Sequence, residues 1–124
     1  MRRDRGSTRN NAVQNRPNTL RIIGGEWRSR RIRFPVLTGL RPTPDRVRET
    51  LFNWLTFLRP DMGSLRGLDL FAGTGALGFE LASRGARSVL MIERDPRLVA
   101  GLIALKQRLD ATQVEIRAGE ALAL

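Results

Sequence analysis

The run Leu68-Asp69-Leu70-Phe71-Ala72-Gly73-Thr74-Gly75-Ala76-Leu77-Gly78 holds the residue types best suited to chemistry. Its G-x-G-x-x-G spacing falls where an apolar strand gives way to a helix, and Glu93 follows Gly73 by 20 residues. Glycines in such a turn let the backbone approach a nucleotide without intervening Cβ atoms. The pattern satisfies the dinucleotide fingerprint, so a nicotinamide dinucleotide is one reading. Asp69 favours another. It lies inside the strand, four residues before the first glycine, where an ionised carboxylate costs on the order of several kcal/mol unless it is partnered. A pyrophosphate would be repelled by that charge, whereas a cationic ligand with an amino group would balance it. S-adenosylmethionine, with its sulfonium and ammonium, meets the requirement. Glu93, ending the next strand, is placed to accept hydrogen bonds from both ribose hydroxyls. Glu120, just after a third strand, is within reach of an adenine amino group. Taken singly, each is equally an ordinary turn glycine or a solvated strand-end acid. Their succession at the ends of three strands of one sheet favours S-adenosylmethionine over the dinucleotide.

The second chemical signal is charge. The chain of 124 residues carries 22 Lys+Arg against 12 Asp+Glu, and every basic residue but Lys106 is arginine. Up to Pro60 there are 14 basic and 4 acidic residues, and beyond it 8 of each, so the whole excess of +10 lies in the first half. Codon bias accounts for the scarcity of lysine but not for the one-sided shortage of acids. The asymmetry points to a polyanion docking on the first half, and arginine's planar fork suits phosphate. With no cysteine or histidine in the chain, disulfide frameworks, zinc–thiolate sites, Ser-His-Asp triads and histidine metal sites are excluded. No apolar run approaches the ~18 residues of a membrane span, and the N-terminus has no signal-like apolar core. A cytoplasmic protein without a membrane partner or metal is expected.

These residues need elements to position them. Residues 1–19 read as a disordered basic arm. Residues 20–40 read as a ribbon: Leu20–Ile23 and Glu26–Phe34 form two extended segments joined at Gly24-Gly25. Period-2 alternation throws Arg31 and Arg33 to one face and Ile32 and Phe34 to the other. Arg28, Arg30, Arg31 and Arg33 are the expected phosphate contacts. Trp27 and Phe34 have rings that could stack on bases, although packing on the domain is the more ordinary use at a hairpin. Thr43-Pro44-Asp45 predicts a helix start, with Thr43 as cap and Pro44 in the first helical position. Val47, Leu51, Trp54, Leu55 and Leu58 follow as its apolar stripe, with Arg46, Arg48, Glu49 and Asn53 away from it. Strands at Gly67–Phe71, Ser88–Ile92 and Val114–Arg117 then alternate with helices at Ala76–Arg84 and Pro96–Leu109. That order predicts an α/β domain over residues 41–124 with a parallel sheet and helices on both faces.

Three ordered blocks carry a resemblance: Leu20-Arg-Ile-Ile-Gly-Gly-Glu-Trp27, Leu40-Arg-Pro-Thr-Pro-Asp-Arg-Val-Arg-Glu-Thr-Leu-Phe-Asn-Trp-Leu55 and Asp69-Leu-Phe-Ala-Gly-Thr-Gly-Ala-Leu-Gly78. From Leu20 to Leu122 the chain resembles the N-terminal part of the bacterial 16S rRNA (guanine(966)-N(2))-methyltransferase family, which has the Rossmann-like class I S-adenosylmethionine-dependent fold. The resemblance implies that Asp69, Phe71, Gly73, Thr74 and Gly75 form the first cofactor motif and that Glu93 binds ribose. Glu120 stands where the family tends to carry Asp or Asn. Arg41, Thr43 and Arg46 are implied to lie beside the cofactor and the RNA substrate, and the basic ribbon to meet ribosomal RNA or the small-subunit particle. In the implied reaction a guanine amine, flipped from its stack, attacks the sulfonium methyl. The family's Asn/Asp-Pro-Pro-Tyr/Phe motif, which holds that amine after a fourth strand, has no counterpart among the six prolines here. The chain therefore reads as truncated after the third strand, without a catalytic residue of its own, and as needing a C-terminal half, supplied in trans if the gene is split. Two rivals stay open: a non-catalytic RNA-binding fragment, and a methyltransferase of the same fold acting on DNA or protein.

Overall fold

A computed structural model describes residues 19–35, 37, 40 and 42–123. The expected basic arm up to residue 18, and Arg41 among the expected RNA contacts, lie outside the described residues. Thr19, assigned above to the arm, instead opens a strand. β1 (Thr19–Arg21) pairs antiparallel with β2 (Arg31–Arg33), with Leu20 opposite Ile32. Leu20, Ile22 and Ile32 are buried while Arg21, Arg31 and Arg33 are exposed, as the alternation requires. The second arm is shorter than expected. Residues 26–29 form a turn, entered through Gly25 (φ +81°) and left through Ser29 (φ +70°). It turns Trp27 inward, edge-on to Phe79 at 6.4 Å between centroids, and Phe34 packs on the same core.

Helix α1 (Asp45–Leu58) departs from expectation twice. Pro44 is its cap residue, extended at ψ 153° and without a side-chain cap bond, so Thr43 lies one residue too early to cap. The inward face is also not the apolar stripe. Val47, Leu51, Trp54 and Leu58 are exposed and Leu55 is half-buried, whereas Arg48 and Phe52 are buried. The reason is a carboxylate. Glu80 is fully buried on the neighbouring helix, where its charge needs a partner. Arg48 supplies one, while Arg84 lies over the Phe52 ring at 5.3 Å. The stripe is left beside a groove of about 180 Å³ that Leu51 and Leu55 share with Leu68, Leu77 and Leu81.

The sheet is parallel as expected, in the order β3 (Arg66–Asp69), β4 (Ser88–Glu93), β5 (Val114–Ala118). Helices α2 (Ala76–Ser83) and α3 (Pro96–Leu109) make the crossovers. Among the described residues both cover one face, not the two expected. A Cβ on Gly67 would lie 2.3 Å from Leu81 of α2, and one on Gly78 would lie 2.7 Å from the Met91 sulfur. Leu102 and Leu105 of α3 join Val89, Met91 and Val114 in the same core. Two right-handed crossovers stepping the same way across a sheet must deposit both helices on one side. Among the described residues β3 is an edge, with Leu68 62% and Phe71 73% exposed. Among the described residues no helix is long and apolar enough to cross a membrane.

Candidate functional site

Parallel strands point their C-terminal ends one way, and the chemistry-bearing residues collect there. At the end of β3 a cavity of about 220 Å³ is lined by Asp69, Phe71, Gly73 and Thr74 from the turn and by Pro42 and Thr43 from the segment before α1. Thr43, displaced from the cap, is thus a wall residue. Asp69 is half-buried. Burial pushes its carboxyl above the usual carboxylate range; an N–H from Phe71 opposes that rise, and the Glu93 charge adds to it. Among the described residues no arginine perturbs it, which is notable in so basic a chain.

The turn itself is built from local bonds. Gly73 (φ +57°) and Gly75 (φ +87°) are both left-handed, and the Thr74 hydroxyl accepts from the Ala76 N–H at 3.2 Å, steadying the first turn of α2. The two glycines serve different ends. A Cβ on Gly73 would stand 3.6 Å from Leu40, beside the cavity. One on Gly75 would strike Leu102 at 2.6 Å and the Phe79 ring at 2.7 Å. A side chain at Gly75 would therefore point into the core, so packing and φ both require glycine there.

Glu93 is already engaged. Its Oε1 accepts from the Gly73 N–H at 2.8 Å, and its Oε2 accepts from the Arg94 and Asp95 N–H groups at 3.0 and 2.9 Å. A carboxylate has about four acceptor positions, so this arrangement leaves Oε1 one of them for a further donor. Glu120 stands apart from the cavity at the surface, paired with Arg94 at 3.2 Å.

The basic residues expected on the ribbon are all exposed, with Arg28 on the turn, Arg30 just before β2, and Arg31 and Arg33 on it; Arg46 is exposed on α1. Arg108 of α3 joins them by donating to the Arg31 carbonyl at 2.8 Å, a long-range neighbour that spacing does not reveal. Sequence reasoning also passed over Glu80. The signal was present: an acid in the middle of the apolar helix Ala-Leu-Gly-Phe-Glu-Leu-Ala-Ser, four residues before Arg84. An all-round apolar helix is buried, so its one charge announces a buried partner.

Comparison with known proteins bears on this arrangement. The family model for Conserved hypothetical protein 95 matches residues 20–123. Ribosomal RNA small subunit methyltransferase D of Escherichia coli (strain K12) is 50% identical over 91 residues, covering 70% of this chain and 44% of the relative. The protein of the same name from Haemophilus influenzae is 54% identical over 78 residues, covering 61% and 38%. The chain thus spans less than half the length of these two relatives. Among solved structures, "Putative methyltransferase yhhF from Escherichia coli" superposes with a TM-score of 0.73 at 46% identity, over 85% of this chain and 55% of that one. The N-terminal domain of EvdMO1, solved in the presence of SAH and D-fucose, shares the fold at 21% identity and a TM-score of 0.55.

Proposed function

Because the chain belongs to the Conserved hypothetical protein 95 family, a 16S rRNA methyltransferase family with the Rossmann-like class I fold, we propose that it forms the cofactor-binding and RNA-docking part of an enzyme that methylates a guanine N2 amine of 16S ribosomal RNA with S-adenosylmethionine. The observation that carries this reading is Asp69: a half-buried carboxylate at the mouth of a glycine turn, lining a cavity. A cationic amino-acid moiety is the ligand chemistry that such a group fits.

When bound, S-adenosylmethionine supplies a methyl group activated by its sulfonium. The chain's own residues do the holding. The Asp69 carboxylate attracts the ammonium end, the remaining acceptor position of Glu93 Oε1 takes a ribose hydroxyl, and Gly73 admits the nucleoside to the backbone. Thr43 and Pro42 close the opposite wall. The exposed arginines of the hairpin, with Arg46, hold phosphates and so present the base. The chain contains no Pro-Pro, so the acceptors that grip the guanine amine belong to a C-terminal half, joined to this chain or acting in trans.

Two measurements test the proposal. Calorimetry with S-adenosylhomocysteine should show binding to the chain, strengthened when a C-terminal half carrying the Pro-Pro motif is added. Labelled methyl transfer to 16S rRNA should then appear with both halves and be absent with this chain alone. RNA binding without cofactor binding would favour the non-catalytic rival, and transfer to DNA or protein in preference to 16S rRNA would favour the other.

A further inference from the structure

Arg48 is fully buried, yet four of its N–H groups are directed at acceptors on three segments: the entry to α1, β1 and α2. Its Nε donates to the Thr43 carbonyl at 3.0 Å, and its Nη1 donates to the Arg21 carbonyl of β1 at 2.9 Å and lies 3.5 Å from Glu80 Oε1. Its Nη2 pairs with the Asp45 carboxylate, which also receives Arg21 Nε at 3.3 Å. Glu80 completes the joint from the other side. It accepts from the Ile23 and Gly24 N–H groups, each at 2.9 Å, and from Arg84 Nε at 2.8 Å. Just beyond, Ser83 accepts from the Trp27 N–H at 2.9 Å and donates to the Gly24 carbonyl at 2.6 Å.

Burying a charge pair is weak evidence for stability, since apolar residues of similar volume often do as well. What an arginine adds is direction: a planar fork fixes several acceptors at set angles. Here the acceptors belong to the cavity wall (Thr43), the RNA-facing hairpin (Arg21) and the helix that rises from the glycine turn (Glu80). We infer that Arg48 is a positioning residue, which through Glu80 sets the Pro42–Thr43 wall of the cofactor cavity and the basic hairpin in one fixed relation. The inference rests on the proposed function for the ligands involved, and on the hydrogen bonds alone for the positioning.

The test uses the full chain and three variants: Arg48→Lys, Arg48→Met, and the double replacement of Arg48→Met with Glu80→Gln, which removes both charges so that folding survives if the single variant fails. Hydrogen exchange is followed in peptides covering residues 19–25 and 42–45, and S-adenosylhomocysteine affinity by calorimetry. The expected result is faster exchange in both peptides and at least tenfold weaker binding in the double variant. Arg48→Lys should keep near-native thermal stability but lose affinity, because an ammonium on Glu80 cannot also reach the Thr43 and Arg21 carbonyls in the same geometry. A purely structural ion pair would be rescued by lysine in every readout, and that result overturns the inference. So does a folded double variant whose exchange matches the parent. If the parent chain binds no S-adenosylhomocysteine while exchange rises in the variants, the functional reading falls and the positioning of the wall stands.

Discussion

The backbone N–H of Gly73 and the carboxylate of Glu93 meet at 2.8 Å across 20 residues of sequence, fastening the glycine turn to the end of the neighbouring strand. The acid thus shapes the site before any ligand arrives. Replacing Glu93 by Ala should remove both a ribose partner and the form of the turn, and replacing Asp69 by Ala should remove only the partner of the ammonium. Each loss of a charged hydrogen-bonding partner is worth ~1.5–3 kcal/mol, roughly tenfold or more in affinity. Calorimetry with S-adenosylmethionine should show both effects, with the larger one at Glu93; equal affinity in parent and both variants would refute the assignment.

The pH dependence of binding should run opposite to that of stability. Burial raises the Asp69 carboxyl above its ordinary value, so folding favours the neutral acid. That contribution is fully present below the unfolded-state value and is lost as pH rises through the raised one. A cationic ligand requires the carboxylate, so affinity for S-adenosylmethionine should fall as pH drops through the same window. Asp69→Asn should bind weakly at every pH in that range and flatten both profiles. Titration calorimetry and thermal melts across mildly acidic pH would check the two signs.

Neutralising Arg31 and Arg33, which stand exposed on one face of β2, should weaken RNA binding and lower the salt slope. The decrease should be ~0.7–0.9 in log K per log salt for each phosphate left without its arginine. Arg28 on the turn and Arg30 just after it should act alike. An unchanged slope would show that these arginines are only a solvated face.

The glycines of the motif should separate by mutation. Gly75→Ala sets a Cβ 2.6 Å from Leu102 at φ +87°, combining overpacking with a left-handed backbone. A destabilisation of about 1–3 kcal/mol is expected from the overpacking alone. Gly73→Ala meets nothing closer than 3.6 Å, so it should be milder in thermal melts and act mainly on ligand affinity.

Among the described residues β3 pairs on one side only, and that open edge, beside exposed Leu68 and Phe71, should make the isolated chain self-associate. Analytical ultracentrifugation should show a concentration-dependent oligomer that Leu68→Lys reduces.

Much of this was legible in the residues. Alternation put Arg31 outside and Ile32 inside, and the helix expected over Pro96–Leu109 has those bounds in the structure. The glycine turn fell where strand meets helix, because a left-handed backbone there demands residues without Cβ. What periodicity could not show was the facing of α1. Its apolar stripe and its one buried arginine compete for the interior, and a carboxylate 32 residues away on another helix decided the outcome. For the same reason Glu120 ends on Arg94 and Arg108 on Arg31: pairs distant in sequence leave no trace in spacing. The placing of both helices on one face was deducible from strand order, but only once that order was known.

The position of Asp69 at the end of an edge strand has a thermodynamic corollary. In open α/β sheets, ligands bind outside the carboxyl ends of strands where the strand order reverses. Among the described residues β4 and β5 both lie to one side of β3, so a strand docked on its other side would stand beside Asp69 and the cavity. On the proposed function, cofactor binding and the docking of such a strand would be linked equilibria. Whatever factor a docked strand contributes to the cofactor's affinity, bound cofactor must return to the affinity for the strand.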